Sequence, residues 1–131
     1  MNSTVDLLNA VCVHLTAFEL PAIASVHVSA APSAPRVTVQ LASHEPAAIA
    51  QGLLAWADTL TEVTAGAWRI PPGDSVHLSV TGLLPGGASV LGYGGPWGTH
   101  HGLGADLPPD ATTTIPLPTL RHAATIEEAR A

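Results

Sequence analysis

Residues 46–60 constrain the fold more than any other stretch. Ile49, Leu53, Trp56 and Leu60 recur at steps of four, three and four, which sets them in one row down a helix. Ala50, Leu54 and Ala57 widen that row, while Gln51 and Asp58 fall away from it. Ser43-His44-Glu45-Pro46 supplies a start signal: a capping hydroxyl, a carboxylate near the positive first turn, and a proline where no amide donor is needed. A helix this one-sided must lie on something flat and apolar. The flanking segments provide it, since Val37, Val39 and Leu41 alternate with Arg36, Thr38 and Gln40. Val76, Leu78 and Val80 alternate likewise with Ser75, His77, Ser79 and Thr81. Leu84-Pro85-Gly86-Gly87 then reads as a turn, with Ala88 to Tyr93 as the returning strand of a hairpin.

The remaining segments fit around this unit. Asn2-Ser3-Thr4 caps a first helix over about 5–17, whose expected core row is Val5, Leu8, Cys12 and Leu15, broadened by Val11. Ala24 to Ser29 reads as a short strand with Val26 and Val28 on one face and His27 on the other. Residues 31–35 suit a hairpin connection. Over Glu62 to Ile70, Val63, Ala65 and Ala67 share one parity, while Trp68 and Ile70 share the other. A bulge at Gly66 would then turn Trp68 inward. Pro71-Pro72-Gly73-Asp74 is a turn. Residues 94–111 show no period and read as a long loop. Thr112 to Leu117 follows as an edge strand and Thr119 to Arg130 as a closing helix.

The order α-β-β-α-β-β-β predicts an α+β fold. It is a two-layer sandwich with a mostly antiparallel sheet, two amphipathic helices on one face, and the other face open to solvent or a partner. Residues 1–95 are expected to form that domain, with 96–131 as a Gly/Pro-rich loop and short β-α tail packed on it.

Charge excludes several functions. Charged residues make up only 11 % of the chain, against about a quarter in an average protein. There is no Lys, and the basic residues are Arg36, Arg69, Arg121 and Arg130, against a net charge of −6. Nucleic acid is therefore not an expected partner, because phosphate binding needs clustered cations. Cys12 is the single cysteine, so no intrachain disulfide forms. With neither a signal-peptide pattern nor an apolar run of spanning length, a cytoplasmic protein with no membrane contact is expected.

Candidate sites come from two constellations. Tyr93-Gly94-Gly95-Pro96-Trp97-Gly98-Thr99-His100-His101-Gly102 places aromatic rings beside paired imidazoles, with Asp106 as a third potential metal ligand. His27 and His77 fall on the polar parity of their strands with Gln40, Thr38 and Ser79. Neighbouring strands would bring the two imidazoles together as a proton relay. No Gly-x-Ser-x-Gly elbow, phosphate loop or dinucleotide fingerprint is present, so no cofactor is expected. Cys12, placed on the core row, reads as a small inert hydrophobe.

The run Leu53-Leu54-Ala55-Trp56-Ala57-Asp58-Thr59-Leu60, Trp68-Arg69, and Val76-His77-Leu78-Ser79-Val80-Thr81-Gly82 resembles small uncharacterised actinobacterial proteins, some of them linked to prophage-like or integrative elements. That resemblance implies an accessory role in a mobile element and carries no catalytic residue over. The expected function is a non-enzymatic interaction module that binds a protein partner or itself through Tyr93, Trp97, His27, His77 and Gln40. The alternatives are a small metal- or ligand-binding protein using His100, His101 and Asp106, and a hydrolase-like enzyme using His27 and His77.

Overall fold

The computed structural model describes residues 3–31, 35–43, 45–70, 75–98 and 112–122. Helix α1 (Thr4–Ala17) leads into strands β1 (Ile23–Ser29) and β2 (Arg36–Leu41), followed by helix α2 (Pro46–Ala57). Strands β3 (Thr61–Ile70), β4 (Ser75–Leu83) and β5 (Ser89–Gly98) follow, then β6 (Thr112–Ile115) and a short helix α3 over 117–122. The strands form one sheet in the order β1-β2-β5-β4-β3-β6. Neighbours run antiparallel except β2 and β5, which are parallel. The fold is α+β, as the alternation of apolar rows predicts.

The core lies between one sheet face and the two long helices. Val37, Val39 and Leu41 of β2, and Val76, Leu78 and Val80 of β4, are buried, as their period of two requires. Helix α2 rests on β4 and β5, and α1 on β1 and β2. Ile49, Leu53 and Trp56 are fully buried, so the expected row of α2 is the core row as far as Ala57, where the helix ends; Leu60, expected as its last member, is buried just beyond it. The start signal also holds in part, since the Glu45 N–H donates to Ser43 Oγ at 3.1 Å and Pro46 opens the helix.

Three expectations are corrected. First, the core row of α1 is Leu7, Val11 and His14, not Val5, Leu8, Cys12 and Leu15. Val5 and Leu8 are exposed, Cys12 is an exposed thiol, and Leu15 is only partly buried. Both rows are apolar, and the polar type of His14 hides the correct one. Second, Gly66 carries no bulge: it pairs regularly with Ser79, and Trp68 lies on the open face. The irregularity of β3 falls between Thr61 and Thr64, where Glu62 has φ 53°. Third, β5 does not end at Tyr93, where the hairpin reading stops it. It continues through Gly98, beyond the boundary expected at residue 95, and pairs with β2 on one side and β4 on the other. The sheet's edges are β1 and β6, the latter on the stretch expected to be an edge. Leu120 of α3 is buried, while residues 123–130 of the expected closing helix lie outside the described residues.

His14 ties α1 to α2. Its Nε2 is 2.7 Å from Thr59 Oγ1, and that hydroxyl donates to the Trp56 carbonyl at 2.8 Å. With its proton so engaged, Thr59 accepts from the imidazole, whose Nε2 carries the hydrogen. The ring stacks on Trp56 at 5.5 Å and 26°. Burial pushes the imidazole below its ordinary value. Between that lowered value and about 6.5 the unfolded chain binds more protons than the folded one. The stabilisation is therefore complete above about pH 6.5 and falls as the pH drops below it.

Two outcomes follow from this packing. Trp56→Ala should lower the unfolding free energy by about 3–5 kcal/mol, as truncation of a buried aromatic does, and urea titration measures it. His14→Gln, whose amide can still donate to Thr59, should reduce the parent's loss of melting temperature between neutral and mildly acid pH. An unchanged pH dependence would place the titrating group elsewhere.

Candidate binding cleft on the open sheet face

The open face is built by the outward parity of every strand. From β3 it takes Thr64, Gly66 and Trp68, from β4 His77, Ser79 and Thr81, and from β5 Leu91, Tyr93 and Gly95. Cross-strand register sets Trp68 opposite His77 and Ser79 opposite Tyr93. Three rings on three adjacent strands thereby form a row. Trp68 meets His77 edge-on, with centroids 5.9 Å apart at 80°. His77 stacks with Tyr93 at 5.6 Å and 28°.

A bulge places His77 in this row. Val76 pairs with Trp97 and Leu78 with Gly94, so Gly95 and Pro96 together oppose the single residue His77. Pro96 lacks an amide donor and is tolerated where the ladder is interrupted. Gly95 leaves the space that the imidazole fills, because a Cβ built there would overlap the His77 ring. Burial among these groups pushes the His77 imidazole below its ordinary value, so at neutral pH the ring is uncharged.

The row borders a cleft of about 390 Å3 lined by Trp68, His77, Ser79, Leu91, Tyr93 and Thr112. A shallower hydroxyl-rich depression continues from it past Thr64, Thr81 and Thr114. Trp68 is 37 % exposed, a large apolar side chain held at the surface. Among the described residues, the cleft lining carries no ionised side chain and His77 has no carboxylate partner. A general base needs a group that orients it and a nucleophile within reach. The arrangement instead suits contact with an apolar or aromatic group, with hydroxyls available at its rim.

The structure brings together some of the expected site residues and separates others. His77 and Tyr93 are in ring contact, and Gln40 pairs with Tyr93 across the β2–β5 ladder. Gln40 accepts a hydrogen bond from Ser25 Oγ at 3.2 Å. His27 is on the same face but on β1, three strand spacings from His77 on β4. At about 4.8 Å per spacing that is roughly 14 Å or more, too far for a proton relay. The Trp97 backbone pairs with Val76 in the cleft's own strand. His100, His101 and Asp106 lie outside the described residues. Among the described residues no three His, Cys, Asp or Glu side chains gather to hold a metal ion, and no helix is long and apolar enough to cross a membrane.

Trp68 is not among the site residues expected from the sequence. The signal for it is the turn expected at 71–74, which lies outside the described residues: counting outward from Ile70 and Ser75 pairs Trp68 with His77. No family model, curated protein or solved structure matches this chain, so the functional reading rests on the geometry.

Gly95→Ala should displace the His77 ring from between Trp68 and Tyr93. The His77 ring-proton resonances, shifted by the neighbouring ring currents in the parent, should move toward random-coil positions. Unmoved resonances would show that the bulge does not hold the ring.

Proposed function

We propose that the protein is a non-enzymatic binding module that takes an uncharged, apolar or aromatic segment of a partner protein on its open sheet face. The observation that carries this reading is the row of Trp68, His77 and Tyr93 beside a cleft with no ionised lining residue among those described. Large rings kept at a surface add contact area at small entropic cost, which is why Trp and Tyr recur at binding hot spots. His77, held neutral by burial, adds a third flat surface without the desolvation cost of a charge. The Thr and Ser hydroxyls beside the cleft can satisfy the partner's backbone groups.

The chain's charge supports a protein rather than a nucleic-acid partner. Four arginines, a net charge of −6 and no Lys cannot build the cationic track a phosphate backbone needs. An accessory role in a mobile genetic element, implied by the resemblance of the central segments, is compatible with such a module. A place in the cytoplasm belongs to the same proposal.

Panning a displayed library of extended peptides against the purified chain tests the reading. Enrichment should favour uncharged peptides with one aromatic or aliphatic anchor. Trp68→Ala and Tyr93→Ala should each weaken the selected peptides at least tenfold, about 1.4 kcal/mol, while the fold stays intact. Peptides that bind both variants as well as the parent would remove the cleft as the site.

A further inference from the structure

We infer that β1 and α1 form a homodimer interface, in which the sheet continues across a twofold axis into the β1 strand of a second copy. Two independent features of this edge point there. Strand β1 ends the sheet, and among the described residues nothing pairs with its outer side. Its sequence, Ile23-Ala24-Ser25-Val26-His27-Val28-Ser29, contains no Pro, Lys, Asp or Glu, the residues that blunt exposed edges. The opposite edge is blunted by shortness, since β6 has only four residues. Strand β1 has seven, and its middle four are exposed.

Helix α1 supplies the second feature. Beyond its buried row it carries Val5 at 64 % and Leu8 at 42 % exposure, with Cys12 exposed on the same flank. A helix that is apolar well beyond its core stripe is normally covered on more than one side. Asp6 is its only acidic residue, and it contains no Lys or Arg.

The geometry selects a second copy as the occupant. A twofold axis normal to the sheet pairs β1 with its mate antiparallel and keeps both helix layers on one side. Helix α1 lies against β1 and β2, so its axis sits over the last pair of strands. Its mate would then sit two strand spacings away, about 10 Å. That is the distance at which helices pack, 8–10 Å. Edge pairing and helix packing are therefore satisfied by the same operator. The edge strand contains no Asp, Glu, Lys or Arg and so brings no such like charges against its copy, and Val26 is brought toward its counterpart on the helix side.

Sedimentation equilibrium of the parent should give twice the chain mass. Amides of β1 should exchange more slowly in concentrated than in dilute solution. Val26→Lys, on the strand layer, and Leu8→Glu, on the helix layer, should each return the mass to that of one chain. Both sites are exposed in the single chain, so circular dichroism and melting should confirm a retained fold. Trp68→Ala, on the open face, should remain dimeric, which separates this interface from the cleft. A parent that sediments at the mass of one chain, or a dimer that survives either charge substitution, overturns the proposal.

Discussion

The close approach of α2 to the middle of the sheet is the constraint on which most of the structure depends. Ile49, Leu53 and Trp56 are fully buried between that helix and the strands, and β5 beneath them gives way by carrying Gly92 and Gly94. Gly92 and Gly94 of β5 and Ala65 and Ala67 of β3 all point inward. A Cβ at Gly94 would come within 2.9 Å of Ile49 Cγ2. At these positions size is distributed in the opposite sense from an ordinary half-buried strand. The inward Ala65 and Ala67 of β3 and Gly92 and Gly94 of β5 are small, while the outward parity of these strands holds Trp68, Leu91 and Tyr93. The core is filled from the helix side, so these outward groups are not needed for packing beneath α2. That division frees the open face for contact with another molecule.

A charge-poor surface gives the same division its chemical character. Charge-rich proteins choose partners partly by long-range steering, which a chain with 11 % charged residues does weakly. Discrimination must then come from shape and from burial of apolar area at short range. In the proposed function and the proposed dimer, the cleft beside His77 and the edge at β1 are those surfaces, one on the sheet face and one at its margin. They share no residue.

Much of the architecture was legible in the sequence. The alternation of β2 and β4, the row of α2 and the turn after Leu84 each carried one clear period, and each is found where its period placed it. Legibility failed where two readings fitted equally well. Helix α1 has two apolar rows, and counting His14 as polar favoured Val5, Leu8 and Cys12. Only the tertiary partner, Thr59 on the far side of α2, makes an inward His14 acceptable. Strand β3 misled because inward alanines look weaker than an outward Trp68. The parallel ladder of β2 with β5 could not be read at all, since nothing local specifies a pairing between residues so far apart in sequence. Of the cleft, Tyr93 and His77 were readable as outward aromatics, whereas their meeting depends on the two-residue bulge at Gly95 and Pro96.

That parallel ladder also orders assembly. Strands β3, β4 and β5 are successive antiparallel neighbours, so Trp68, His77 and Tyr93 are brought together by connections of only a few residues. Joining Arg36–Gln40 to Ser89–Tyr93 instead closes a loop of about fifty residues, an entropic cost that must be met before any reward. The meander can therefore form early as a template, with the β1–β2 hairpin docking later onto the flank of β5. The chain is in this sense a locally built three-stranded meander to which a separate hairpin is sewn by one long-range seam, and that seam runs directly beside Tyr93.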